Sequence, residues 1–211
     1  MPLLYSLMLF WLAFACQPHE QELHTPTEVN PSNPTASGQP LTDDAEGDTS
    51  ASYSHLTIAG KYVGVEETSK NSSTEIDRML ETVGLNPGYN YCAAFVSYIL
   101  DESKVDYPNV RSGVAQHFRT NKSVRSEEVV RGTYKVEKGE ILVWQRGETW
   151  QGHTGFASGD WEGATGTTIE ANTTSGGDDN LGRGNGIWER TRTIQPGNYF
   201  RITYITPVKY A

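Results

Sequence analysis

Hydrophobic and polar positions along the chain fall into three regimes. Residues 3–15, LLYSLMLFWLAFA, are an unbroken weakly polar run of thirteen. From Gln17 to about Ser52 large apolar residues almost disappear, and neither a helical nor an alternating period is present. Beyond residue 52 periodic order sets in. Leu56, Ile58, Ala59, Tyr62 and Val63 recur at helical spacing up to Gly64, and Ser73 precedes a second set, Ile76, Met79, Leu80 and Val83, closed by Gly84. Each pattern predicts a short helix, the second with a serine cap. The run YCAAFVSYILDES is apolar on nearly every face, which predicts a buried helix from Tyr91 to Glu102 with Asn90 as its N-cap. A further helix is expected around Ser112 to Thr120. The remaining signals are strands, at residues 140–144, 153–157, 167–171, 187–194 and 200–205, separated by Gly, Asn, Asp and Pro. Helices first and strands afterwards predict an α+β fold with an antiparallel sheet of about five strands.

These regimes divide the 211 residues into a leader (1–16), a tether (17–52) and one folded domain (53–211) without internal repeat. A run of thirteen falls short of the roughly 20 residues that cross a bilayer as a helix, so it reads as the core of a signal peptide. Ala13 and Ala15, just ahead of Cys16, resemble the end of a bacterial lipobox, in which the cysteine becomes the lipidated first residue of the mature chain. Cys16 is therefore the expected lipidation site, and the expected location is the cell envelope, with the protein held at the membrane by its lipid. An ordinary cleaved signal with Cys16 incidental, or an uncleaved anchor, are the alternatives, and all three export the chain. The tether is rich in Pro, Thr, Ser, Glu and Asp and cannot bury enough surface to offset its ordering entropy. As flexible coil it would span roughly 30–36 Å.

Charge sharpens the division. The net charge is −9, from 17 Lys and Arg against 26 Asp and Glu. Residues 1–60 hold no Lys or Arg and seven acids (Glu20, Glu22, Glu28, Asp43, Asp44, Glu46 and Asp48), which leaves 17 bases against 19 acids in residues 61–211. The acidity thus belongs to the tether, and without a basic cluster nucleic acid is excluded as a partner. An apolar content of 36% supports a core but not a polytopic membrane protein.

The two cysteines, Cys16 and Cys92, are too few for a disulfide framework. Neither has a Cys or His at metal-ligand spacing, so no metal or other cofactor is implied. Cys92 falls at the second position of the buried helix, where unpaired N–H groups and the positive end of the helix dipole stabilise a thiolate. A small core hydrophobe is the other role open to it. His153 starts a strand between Gly152 and Gly155, and the next strand carries Glu170 and Asn172, which project from one face because they lie two apart. A register with 154 opposite 169 also sets 153 opposite 170 on that face. The sum is a cysteine at a helix N-terminus, a histidine facing it, and a carboxylate or amide to orient the imidazole, which is the nucleophile, base and orienter of a cysteine hydrolase. Tyr91 and Trp150 are candidates for lining a substrate groove, though most aromatics are core. His117 is expected on a helix surface, His19, His24 and His55 in or beside the tether, and Asp178 and Asp179 in an acidic loop.

The order YNYCAAFVSYIL, GEILVW, GHTGFA and IEANT resembles the CHAP family, cysteine- and histidine-dependent amidohydrolases and peptidases of papain-like fold that cleave bacterial peptidoglycan. The resemblance covers about residues 55–206. It implies Cys92 as nucleophile, His153 as general base, and Glu170 with Asn172 as the family's Glu-x-Asn pair, 17 and 19 residues beyond the histidine. Tyr91 stands where an aromatic such as Trp is frequent, and no wall-binding module is recognisable. The expected function is cleavage of a peptidoglycan amide by a cysteine amidase or endopeptidase. A non-catalytic wall-binding envelope lipoprotein on the same fold, and an amidase for a small peptide conjugate, are the competing readings; an inhibitor partner leaves no sequence signature.

Overall fold

The computed structural model describes residues 53–175, 184–195 and 202–210; the leader with Cys16, the tether, and the acidic loop with Asp178 and Asp179 lie outside the described residues. Among the described residues four α-helices, α1 (Ser54–Gly60), α2 (Thr74–Thr82), α3 (Cys92–Glu102) and α4 (Ser126–Val130), accompany six strands, β1 (Val124–Arg125), β2 (Ile141–Gln145), β3 (Gly152–Glu162), β4 (Thr165–Thr173), β5 (Gly186–Thr193) and β6 (Ile202–Thr206). The strands form one antiparallel sheet in the order β1-β6-β2-β3-β4-β5. This is the α+β architecture expected, and it fits a papain-like fold.

Local chemistry explains the helices. Ser73 accepts a hydrogen bond from the Ile76 N–H at 3.3 Å, capping α2 as expected. In α3 every residue from Cys92 to Leu100 is buried, as an all-round apolar helix must be. It packs on the sheet through Phe95 against Phe156, ring centroids 6.1 Å apart at 68°, within a core that also takes Ile76, Met79, Leu80, Ile141, Val143 and Ile169. A second cluster, Val129, Leu142, Trp144, Ala157, Trp161 and Ile205, covers other positions of the same strands. Strand β2 alternates between the two clusters, which is why ILVW is apolar without a break.

Several boundaries differ from the sequence reading. The helix expected over Ser112–Thr120 is a single 3₁₀ turn, Ala115–Phe118, because only Ala115 and Phe118 in it reach the core. Helix α3 starts at Cys92 with Tyr91 as its N-cap, one residue later than expected, since the Asn90 side chain is engaged elsewhere. The two-residue β1 and the five-residue α4 are too short to show a period. His55 is not beside a tether but within the core. Its Nε2 meets the Gly139 carbonyl at 2.9 Å, its Nδ1 meets the Tyr210 hydroxyl, and its ring lies 5.2 Å from that of Phe156. Burial, only partly offset by the Gly139 hydrogen bond, lowers its pKa to about 4, so this histidine is a neutral structural link.

Candidate active site

Cys92 opens α3, and no side chain caps that end of the helix. A helix leaves its first N–H groups without intrahelical partners, so the thiol sits among donors and at the positive end of the dipole. His153 comes from β3, opposite Trp144 of β2, whose ring lies 5.5 Å away. Glu170 comes from β4. Its Oε2 accepts a hydrogen bond from His153 Nε2 at 2.8 Å, with both side chains fully buried. With Nε2 so engaged, Nδ1 is left buried and without a hydrogen-bond partner among the described residues, while Cys92 and Glu170 both act to raise the pKa of this imidazole.

The electrostatics follow from these contacts. Burial alone would depress the His153 pKa, but the interactions with Cys92 and Glu170 outweigh it and raise the pKa to about 9. Burial alone would likewise push Glu170 up, yet its hydrogen bonds from Arg192 and His153 and their charges hold it well below the usual carboxylate range. A buried carboxylate beside an imidazole with raised pKa favours the imidazolium, the partner a thiolate requires.

A CHAP domain family model matches residues 84–172, a span that contains all three of these residues. The match covers less than half of the chain. A crystal structure of an N-acetylmuramoyl-L-alanine amidase from Staphylococcus aureus is also similar, at 14% identity and a TM-score of 0.33, over 78% of this chain and 38% of that one. The chain therefore spans well under half the length of that amidase. No curated protein matches the sequence.

Within the matched region the strand register differs from the one expected. Gly155, not His153, lies opposite Glu170, and Phe156 lies opposite Ile169. The shift is by two residues, which preserves the face, so Glu170 reaches His153 along a diagonal. Gly155 makes the diagonal possible. A Cβ there would stand 2.7 Å from Glu170 Cγ and 2.7 Å from the Ile169 carbonyl oxygen, so only glycine lets the glutamate lie across it.

Asn172 is not brought to His153. It sits at a bulge between Ala171 and Thr173 of β4, with a left-handed φ of 57°, a conformation asparagine tolerates better than most residues. From there its Nδ2 donates to Asn90 Oδ1 at 3.1 Å, tying β4 to the turn before Cys92. Tyr91, expected as a groove wall, is fully buried, because its hydroxyl donates to Glu67 Oε1 at 3.0 Å and its ring joins the core. Both residues therefore support the turn that presents Cys92. Trp150, at the tip of the β2–β3 hairpin, is 72% exposed and open to a ligand.

Sequence reasoning missed Arg192. From β5 it forks the glutamate, Nε to Oε1 at 2.8 Å and Nη2 to Oε2 at 2.7 Å, while Thr168 Oγ1 donates to Oε1 at 2.5 Å. With His153 included, every donor bond needed to keep Glu170 ionised inside the protein is present. Arg192 gives the glutamate a second counter-charge, so its ionisation does not rest on the histidine alone. The signal was in the strand WERTRT, where arginines two apart share a face. Linking that face to Glu170 required the pairing of Gly166 with Arg192.

Proposed function

We propose that this protein is a cysteine hydrolase that cuts an amide bond in bacterial peptidoglycan, with Cys92 as nucleophile, His153 as base and acid, and Glu170 as the residue that orients the imidazole. The observation that carries this reading is the buried His153, held through Nε2 by Glu170 at 2.8 Å and raised in pKa by both Glu170 and Cys92, the first residue of α3. In the reaction the Cys92 thiol proton passes to His153 and the thiolate attacks the amide carbonyl carbon. The N–H groups at the start of α3 stabilise the resulting oxyanion. The imidazolium then protonates the leaving amine as the C–N bond breaks, leaving a thioester on Cys92. His153 next takes a proton from water, the hydroxide attacks the thioester, and the new carboxylate departs as the thiol is restored.

Incubating purified peptidoglycan with the protein and identifying the soluble fragments by mass spectrometry tests the reading and names the bond. A new amine on L-Ala with a free lactyl carboxylate on the sugar marks an amidase, whereas a new amine within the stem or crossbridge marks an endopeptidase. Intact wall after exhaustive incubation removes the proposal. We further propose that the chain is exported and held in the envelope by lipid on Cys16, because the apolar run stops there and the acidic tether begins at once. Replacing Cys16 by serine should move the protein from the membrane fraction to the soluble exported fraction. A wild-type mature protein whose intact mass shows no acyl groups would end the lipid-anchor proposal.

A further inference from the structure

A groove of about 780 Å³ lies between the 3₁₀ turn and the β2–β3 hairpin, and Arg111, Gln116, His117, Arg119, Glu148 and Trp150 are among the residues that line it. It adjoins the catalytic histidine's strand. Gln116 Nε2 donates to the Trp144 carbonyl at 3.1 Å, and a Cβ on Gly152, the residue before His153, would stand 2.3 Å from that Nε2. The ring of Trp144 in turn lies against His153.

The charges in this groove are unequally satisfied. Arg111 is paired with Asp101 at 3.5 Å. His117 Nδ1 is bonded to Ser112 Oγ at 2.7 Å. Arg119 has no acidic side chain within ion-pair distance among the described residues, yet its guanidinium is held in place. Its Nη1 donates to the Tyr204 hydroxyl at 3.0 Å and to Gln145 Oε1 at 3.4 Å, and its Cζ stands 4.7 Å above the Tyr204 ring. Ordering an exposed arginine costs side-chain entropy that a solvated charge does not require. A guanidinium fixed by neutral groups keeps its full charge and its free N–H edges for an anion. Nearby Trp150 offers an apolar face at high exposure, suited to a sugar ring or an aliphatic side chain.

We propose that this groove is the subsite for the part of the substrate next to the scissile amide, and that Arg119 takes a single peptide carboxylate there. The assignment rests on the peptide-hydrolase reading above. A single carboxylate fits better than a polyanion, because Glu148, which has no basic partner among the described residues, also lines the groove and would repel an extended phosphate chain. Wall stem peptides carry such carboxylates within a few bonds of their amides.

Two probes test the proposal: a synthetic muramoyl tripeptide whose acidic residue bears a free carboxylate, and the same compound with that group as carboxamide. Binding is measured calorimetrically on the full-length Cys92→Ala protein, with and without Arg119→Gln, and hydrolysis on the Cys92 protein with and without the same change. The carboxylate probe should bind about tenfold more tightly than the carboxamide, as a charged hydrogen bond at a half-open site provides. Arg119→Gln should erase that difference by weakening the carboxylate probe alone, Arg119→Lys should retain part of it, and raising salt should shrink it. Iodoacetamide alkylation of Cys92 should be unchanged in Arg119→Gln. Equal binding of the two probes, binding of neither, or equal weakening of both by Arg119→Gln overturns the subsite. Selective binding without hydrolysis of either the probe or purified peptidoglycan would instead leave the carboxylate site standing and remove the hydrolase reading, and hydrolysis without selectivity does the reverse.

Discussion

Replacing Cys92 by serine should leave the domain folded and reduce wall digestion by ~10⁴-fold or more, the scale on which losing a covalent nucleophile acts. The fold should survive because the side chain is nearly fully buried at the first turn of α3 and the hydroxyl is close in size to the thiol. The chemistry should not. A serine hydroxyl is far less acidic than a thiol, and the site stabilises an imidazolium rather than a neutral base strong enough to deprotonate an alcohol. The measurement is fragment release from purified peptidoglycan alongside a thermal melt of the same preparation. Serine-variant turnover within tenfold of wild type, with an unchanged melt, would show that Cys92 forms no covalent intermediate.

Replacing Glu170 by glutamine should produce the largest loss of stability available in the site. The glutamine amide cannot neutralise Arg192, which is nearly buried, and removing one partner of a buried pair costs about 3–5 kcal/mol. At about 2–4 °C per kcal/mol this is a Tm fall of roughly 6–20 °C. Turnover should fall as well. The imidazolium loses its counter-ion, so the His153 pKa should drop from about 9 and the apparent pKa for iodoacetamide alkylation of Cys92 should rise. The sign for stability follows from linkage. A histidine whose folded pKa is raised contributes stability that is fully present below the unfolded value near 6.5 and is lost as pH rises through about 9. The wild type should therefore lose that contribution across this window, and the glutamine variant should show a flatter profile there. The double variant Glu170→Gln with Arg192→Met separates the two roles. It should recover much of the melting temperature, because no lone charge remains, but none of the turnover. Asn172→Ala, by contrast, should lower turnover with little movement of the alkylation pKa, since its side chain holds Asn90 and not the imidazole. An alkylation profile moved by Asn172→Ala and untouched by Glu170→Gln would reverse the assignment of the orienting residue.

Much of this arrangement is legible in the chain alone, because its physics is local. Ser73 and the apolar spacing behind it specify α2, and the all-round apolarity of CAAFVSYIL specifies a helix that is buried. The alternation of β3 and β4 assigns His153 and Glu170 to one face. Period-two patterning is blind to a shift of two residues, however, so the pairing of Gly155 with Glu170 emerged only when the strands met. The absence of a Cβ at Gly155 then decided that the glutamate could lie across the gap to the imidazole. Asn172 lost its expected neighbour for a similar reason: a one-residue bulge, which no alternation signals, turned its side chain toward Asn90. The order of the longer elements and the Cys92, His153 and Glu170 set can be read along the chain, since helix periodicity, strand alternation and side-chain acidity are properties of short segments, whereas β1, α4 and the role of Arg192 cannot. Only the tertiary structure decided which of those residues touch. The contacts that set the charge of Glu170 come from side chains on three successive strands, and Arg192 enters only because β5 lies beside β4.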